Sequence, residues 1–294
     1  PNLPRLIKQR HPKAGERNPS VRTGVVRLDT KITVWIDLEN YPYEYLPRIK
    51  WLPDSKQLAV QTMNRLQTIV DLFIADIKTG KASHLLSETD KGWVNIHDDL
   101  HFLDDGKTFL WRSERDGYAH LYLFDMKGDL IRQVTNGDWA LKPSGGIAGL
   151  DQAVSFVDEN SGIVYFTGLK KASTERHLYR VGLDGKNTKR LSDIAGSHAV
   201  YFSPNGDYYV DSHSAIDRPP SLTVHQTNGE NTKTIKATSY KTSNQFGLPG
   251  WELFTIQARD GFEMPAAMLK PRFFDPTKQY PAITYVYGGP SAPT

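Results

Sequence analysis

The chain has 294 residues, 38% of them hydrophobic and 23% charged, which supports a sizeable core beneath a water-facing surface. Its formal charge of +3 is spread without blocks, and no run of about 18 apolar residues occurs, so neither nucleic acid nor a membrane span is indicated. There is no cysteine, so no disulfide framework exists, and the cytoplasm and a bacterial periplasm are equally compatible.

Residues 1–20 are proline-rich, basic and poorly periodic, which predicts an extended connector. Val21-Arg-Thr-Gly-Val-Val-Arg-Leu and Lys31-Ile-Thr-Val-Trp-Ile, separated by Asp29-Thr30, read as two strands and a turn. From there the chain repeats itself. Ile49-Lys-Trp-Leu-Pro-Asp, His101-Phe-Leu-Asp-Asp-Gly, Val154-Ser-Phe-Val-Asp-Glu and Val200-Tyr-Phe-Ser-Pro-Asn-Gly each place an aromatic before a turn and a β-rich run. A further strand and a second turn follow in each unit, as in His120-Leu-Tyr-Leu-Phe-Asp before Lys127-Gly and His177-Leu-Tyr-Arg-Val before Asp184-Gly. The period is roughly fifty residues, the length of a propeller blade. Asp-Gly and Asn-Gly supply the positive φ of tight hairpins, and alternating strands bury aromatic and β-branched faces against neighbouring sheets.

Residues 240–250 read as a linker, and Trp251-Glu-Leu-Phe-Thr-Ile-Gln-Ala with Met264-Pro-Ala-Ala-Met-Leu-Lys reads as a hairpin around Asp260-Gly261. Ala282-Ile-Thr-Tyr-Val-Tyr, between Pro281 and Gly288-Gly289-Pro290, predicts a buried strand that ends in a tight turn. On residue chemistry alone, its last member Tyr287 reads first as a strand aromatic with its hydroxyl in water.

Three stretches together resemble the propeller-to-hydrolase transition of the prolyl oligopeptidase family. They are Tyr-Val-Tyr-Gly-Gly-Pro, the run from Arg259 to Pro271 and the run from Phe274 to Pro281. Pro12-Lys-Ala-Gly-Glu-Arg-Asn-Pro-Ser-Val resembles the linker of the dipeptidyl peptidase IV branch, of bacterial type. The resemblance implies a mainly β chain, a partial, open β-propeller of four-stranded blades followed by the first strands of an α/β-hydrolase domain. The expected division is a linker at 1–20, the C-terminal half of a propeller at 21–245, and a truncated hydrolase start at 246–294. It also implies a serine exopeptidase that releases N-terminal dipeptides of Xaa-Pro type through an acyl-enzyme, with the propeller gating access. Peptides are then the substrates, no cofactor or metal is needed, and homodimerisation of the parent and a periplasmic location are implied. Another peptidase of the same family, or a non-catalytic propeller used for binding, are the alternatives.

Tyr287 is implied to be an oxyanion donor, since a phenol with a pKa of about 10 stays protonated at neutral pH. No Gly-x-Ser-x-Gly elbow occurs, and Gly289-Pro-Ser-Ala-Pro fails at its last position. The triad residues are therefore expected after Thr294, the paired glutamates for the substrate amino terminus before Pro1, and this stretch alone is expected to be inactive. The second candidate site is Gly92-Trp-Val-Asn-Ile-His-Asp-Asp, whose Trp93, Asn95, His97 and Asp98 resemble a loop bordering outer substrate subsites. The alternative is an interblade connection with His97 and Asp98 hydrogen-bonded to each other or to backbone. Ser113-Glu-Arg-Asp-Gly-Tyr-Ala-His reads as a structural hairpin.

Overall fold

A computed structural model describes residues 7–143, 151–230 and 232–286. The regular secondary structure of the described residues is strand, with one short helix. The chain divides into two compact units, Pro1–Gly117 with Tyr122–Arg132, and Tyr118–Leu121 with Gln133–Thr294.

In the first unit, β1 (Gly24–Val26) and β2 (Thr33–Trp35) pair as a small ribbon. The next four strands are β3 (Tyr45–Trp51), β4 (Gln57–Met63), β5 (Ile69–Asp76) and β6 (Ala82–Thr89), an antiparallel meander in sequence order. Its register sets Trp51 against Leu58 and Met63 against Val70. β4 and β5 are buried almost from end to end because both faces of the sheet are covered. Strand alternation sends Leu58, Val60, Phe73 and Ala75 to one face, where Ile36 and Leu38 pack. Ala59, Met63, Leu72 and Ile74 go to the other, onto Phe102, Phe109, Trp111 and Phe124. Each such large side chain withdrawn from water contributes roughly 1.5–3 kcal/mol, which is what makes these two strands the spine of the unit.

A second meander follows, with β7 (Leu100–Phe102), β8 (Thr108–Ser113), β9 (His120–Asp125) and β10 (Leu130–Gln133) in the order β10-β9-β8-β7. The β9–β10 turn lies hard against the preceding sheet: a Cβ on Gly128, at φ +87°, would stand 1.9 Å from the Leu85 carbonyl oxygen. Only glycine fits there on both counts.

The second unit holds two more meanders. The first comprises β11 (Val154–Asp158), β12 (Ile163–Ala172), β13 (Glu175–Gly182) and the two-residue β14 (Lys189–Arg190). The other comprises β15 (Ser197–Phe202), β16 (Tyr208–Ala215), β17 (Arg218–Gln226) and β18 (Thr232–Lys236). One parallel pair, Arg176 with Ser197, joins β13 to β15. Between the two meanders Phe156 and Phe202 stack at 5.3 Å, with Tyr165 and Tyr209 closing around them. The four repeat units read from the sequence thus coincide with four successive antiparallel meanders, the last two joined into one sheet by the β13–β15 pair, the fold class expected of propeller blades.

Beyond β18 the helix α1 (Lys241–Phe246) occupies what reads in the sequence as plain linker. It stops at Gly247, whose αL conformation lets its N–H reach the Asn244 carbonyl. β19 (Trp251–Gln257) and β20 (Glu263–Leu269) then form the expected hairpin around Asp260-Gly261. The strand expected from Ala282 is absent over its described part. Residues 281–286 pair with nothing in a sheet, and Ile283 is 99% exposed. A strand is held by backbone partners, and the β-branched, aromatic run finds none among the described residues. Tyr287 lies outside the described residues.

Candidate functional site

The loop at 92–98 links β6 to β7, and its side chains divide by depth. Trp93 is 47% exposed, and its indole N–H donates to Asn95 Oδ1 at 3.2 Å. Asn95 in turn donates through Nδ2 to Glu114 Oε2 at 2.7 Å. Glu114 sits on the turn after β8, where Gly117 at φ +99° lets the chain reverse. An aromatic plate, an amide and a carboxylate are therefore fixed in one chain of hydrogen bonds at the rim of a cleft. Its floor is Glu88, which accepts from Trp111 Nε1 at 3.1 Å, Ser113 Oγ at 2.9 Å and the Arg115 guanidinium at 2.7 Å. Arg115 also lies over the Tyr122 and Phe124 rings, at 4.9 and 5.1 Å. Glu88 is thus a saturated anchor, and the cleft's open carboxylates are those of Glu114 and Asp90.

His97 and Asp98 point elsewhere. His97 is buried, its ring edge-on to Trp111 at 4.4 Å. Burial first, then the Arg112 charge, hold it well below its ordinary pKa, against a backbone hydrogen bond at Arg112 that acts the other way. It is a neutral ring at physiological pH. Asp98 receives the Arg48 guanidinium at 2.6 Å, and Asp99 forms an enclosed ion pair with Arg112 at 3.1 Å. Lys50 donates to the Leu100 carbonyl, and burial lowers its pKa while Asp99 and Asp98 raise it. His101 is pushed down to about 3, by burial and then by Lys50. Of the four candidates in this loop, the structure gathers Trp93 and Asn95 at the surface and uses His97 and Asp98 beneath it. Among the described residues no three His, Cys, Asp or Glu side chains group as a metal site, since neighbours at 97, 98 and 99 go to different partners.

Glu114 is the cleft residue that sequence reasoning assigned to a plain hairpin. The signal that would have found it is its place before Asp116-Gly117, at the exposed crest of the turn. One other grouping imitates catalytic machinery. Ser87, His84 and Asp71 meet on β5 and β6, but serine and aspartate both approach His84 Nε2, at 2.9 and 3.2 Å. A triad needs them on opposite ring nitrogens, so no relay can form.

The family model for the dipeptidyl peptidase IV N-terminal region matches residues 2–220. The chain belongs to the dipeptidyl peptidase IV family. A probable dipeptidyl-aminopeptidase B of Emericella nidulans is 29% identical over all of this chain and 33% of its own length. A probable dipeptidyl peptidase 4 of the same organism is 27% identical, over 99% of this chain and 39% of its own. The crystal structure of Porphyromonas gingivalis dipeptidyl peptidase 4 superposes with a TM-score of 0.78 at 27% identity, covering 92% of this chain and 37% of that one. A putative dipeptidyl aminopeptidase IV from Bacteroides ovatus reaches 0.83 at 26% identity, covering 97% and 42%. The chain thus spans between a third and about two-fifths of these dipeptidyl peptidase relatives. No helix among the described residues is long and apolar enough to cross a membrane.

Proposed function

We propose that this chain is the propeller-side portion of a serine exopeptidase that removes N-terminal dipeptides, of Xaa-Pro type, through an acyl-enzyme. The observation that carries the reading is the family match over residues 2–220 together with relatives named as dipeptidyl peptidases along the whole chain. In this reading residues 1–20 are a linker, 21–245 are propeller blades and 246–294 open a hydrolase domain. The nucleophile, its histidine and its acid belong to sequence beyond residue 294, because the chain holds no Gly-x-Ser-x-Gly. Tyr287 donates its hydroxyl to the oxyanion, a role worth about 10²–10³ in turnover.

The loop at 92–98 divides its work. Trp93 and Asn95 face the peptide, and Glu114 holds Asn95 in place. His97 and Asp98 brace the loop from below through Trp111 and Arg48. Homodimerisation of the intact enzyme is part of the same proposal.

The test is to extend the coding sequence past codon 294, express the longer protein and treat it with a fluorophosphonate and with Xaa-Pro peptides. A labelled serine and release of the N-terminal dipeptide are expected. Release of single residues, acyl-residues or internal fragments points to another peptidase of the family. A reading frame without a serine elbow leaves only a binding propeller.

A further inference from the structure

Three histidines lie ring on ring where β13, β15 and β16 meet. His177 and His198 are 5.2 Å apart, and His198 stacks on His213 at 4.6 Å. All three are buried, at 0, 2 and 5% exposure. Their hydrogen bonds set their proton content. His198 has an acceptor at each nitrogen, the Asp211 carboxylate at 2.7 Å on Nδ1 and the Ile194 carbonyl at 2.8 Å on Nε2. The middle ring is thus clamped at both nitrogens, between a carboxylate and a backbone carbonyl. His177 differs. Its Nε2–H donates to Glu175 at 2.8 Å, while Nδ1 faces the Ser192 hydroxyl, which can donate to it at 2.9 Å. One proton suffices there. His213 donates from Nε2 to the Ala195 carbonyl at 3.0 Å. A ring held from both sides thus sits between two rings that each need only one proton.

Both flanking histidines titrate below their ordinary value, each by burial first, with the His198 charge adding to the shift. The groups around them pull in both directions. Glu175 and Asp211 favour protonation, while Arg190 opposes it at His177 and Arg218 opposes it at His213. His225 stacks on Tyr209 at 4.8 Å and is lowered by burial, with Asp211 and His198 pulling in opposite senses. Asp193 and Tyr165 face Tyr209, and Lys171 is paired with Glu175. Arg176 donates to Ser197 Oγ at 2.6 Å, and its own pKa is lowered by burial with Tyr201 opposing. Two like charges less than about 6 Å apart in a shielded seam repel strongly. The backbone link at this place is the single pair Arg176 and Ser197.

We propose that the His177–His198–His213 stack makes the seam between the β11–β14 and β15–β18 meanders an acid-sensitive joint, closed while the flanking rings are neutral and loosened when one of them is protonated. The sign follows from the lowered values. The opened seam takes up protons below about pH 6.5, before the closed one does, so closure weakens as pH falls through that range.

Hydrogen exchange of the 294-residue chain, corrected for intrinsic rates and followed from pH 7.5 to 5, tests this. Protection of the Arg176 amide, which donates to the Gly196 carbonyl across the seam, is expected to fall by up to about tenfold per pH unit for each flanking histidine. His213→Gln keeps a donor for Ala195 and removes the titration, so it should flatten the fall there while leaving β4 and β5 as in the wild type. His177→Gln should do the same independently. A seam whose protection holds constant to pH 5, or variants with the wild-type slope, would overturn the proposal. Proton NMR of the histidine rings in the unmodified chain provides a reading that needs no variant. Two flanking rings that titrate near 6.5 with the seam still protected would equally refute it.

Discussion

Trp93 owes its position to one hydrogen bond, and Asn95 to two, so the rim of the cleft is sensitive to single atoms. In the longer peptidase, Trp93→Ala should raise KM several-fold with little change in kcat, the mark of lost ground-state and transition-state binding alike. Tyr287→Phe should do the reverse, lowering kcat by about 10²–10³ while the protein folds normally. Steady-state kinetics on a Xaa-Pro substrate separates the two. Deeper in, Asp99 and Arg112 are enclosed together, and replacing either one breaks a buried ion pair. Arg112→Met should cost on the order of 3–5 kcal/mol, read as a lost denaturant midpoint, whereas Trp93→Ala should leave that midpoint unmoved. The residue types of the site were legible in the sequence, but their division of labour was not. Nothing in Trp-Val-Asn-Ile-His-Asp distinguishes the exposed Trp93 from the buried His97, because a loop lacks the alternation that assigns faces in a strand. Depth was decided by Arg48 and Trp111, which come from other strands.

At the scale of elements, one arrangement recurs in two of the four repeat units. His120 on β9 and His177 on β13 each open a His-Leu-Tyr run, and each meets a hydroxyl 15 residues on, Thr135 or Ser192. That hydroxyl also accepts the backbone N–H of the next residue, Leu121 or Leu178. The histidine, its strand and the following strand are thereby tied at one buried point. Thr135→Val and Ser192→Ala each leave a buried imidazole nitrogen and an amide short of a partner, and each should cost about 1–3 kcal/mol in stability. The sheets themselves were readable from aromatic, turn and strand at a roughly fifty-residue period, since every blade must solve the same packing problem. The helix at 241–246 was not, because Lys-Thr-Ser-Asn-Gln-Phe is too short and too polar to show helical periodicity. Over residues 282–286 the expected strand failed for the opposite reason: strong local propensity counts for little without a neighbouring strand.

For the whole molecule, two surfaces set its behaviour in solution. The β19–β20 hairpin shows Leu253, Phe254, Ile256, Met264 and Met268 to solvent, each more than 40% exposed. Such a two-stranded ribbon is marginal alone, and its two uncovered faces favour association. Light scattering of this chain should show concentration-dependent self-association that Leu253→Glu with Ile256→Glu reduces; a monodisperse monomer at high concentration would contradict it. The acid response is also global. His97 and His101 are lowered by burial, so the stability they contribute is present above about pH 6.5 and is lost as pH falls toward their folded values, about 3 for His101. Calorimetry should show Tm falling between pH 6.5 and 4.5, a window above the range where the carboxylates titrate, and His101→Asn should shrink that fall.

The single backbone pair between β13 and β15 has a mechanical corollary. Tension applied along the chain would meet little resistance at that joint and much more within each meander, where long registers share the load. Stretched in an optical trap, residues 197–236 should come away as one discrete event, lengthening the tether by about 13 nm at full extension. The rupture force of that step would report the cohesion of one sheet, sampled apart from its neighbours.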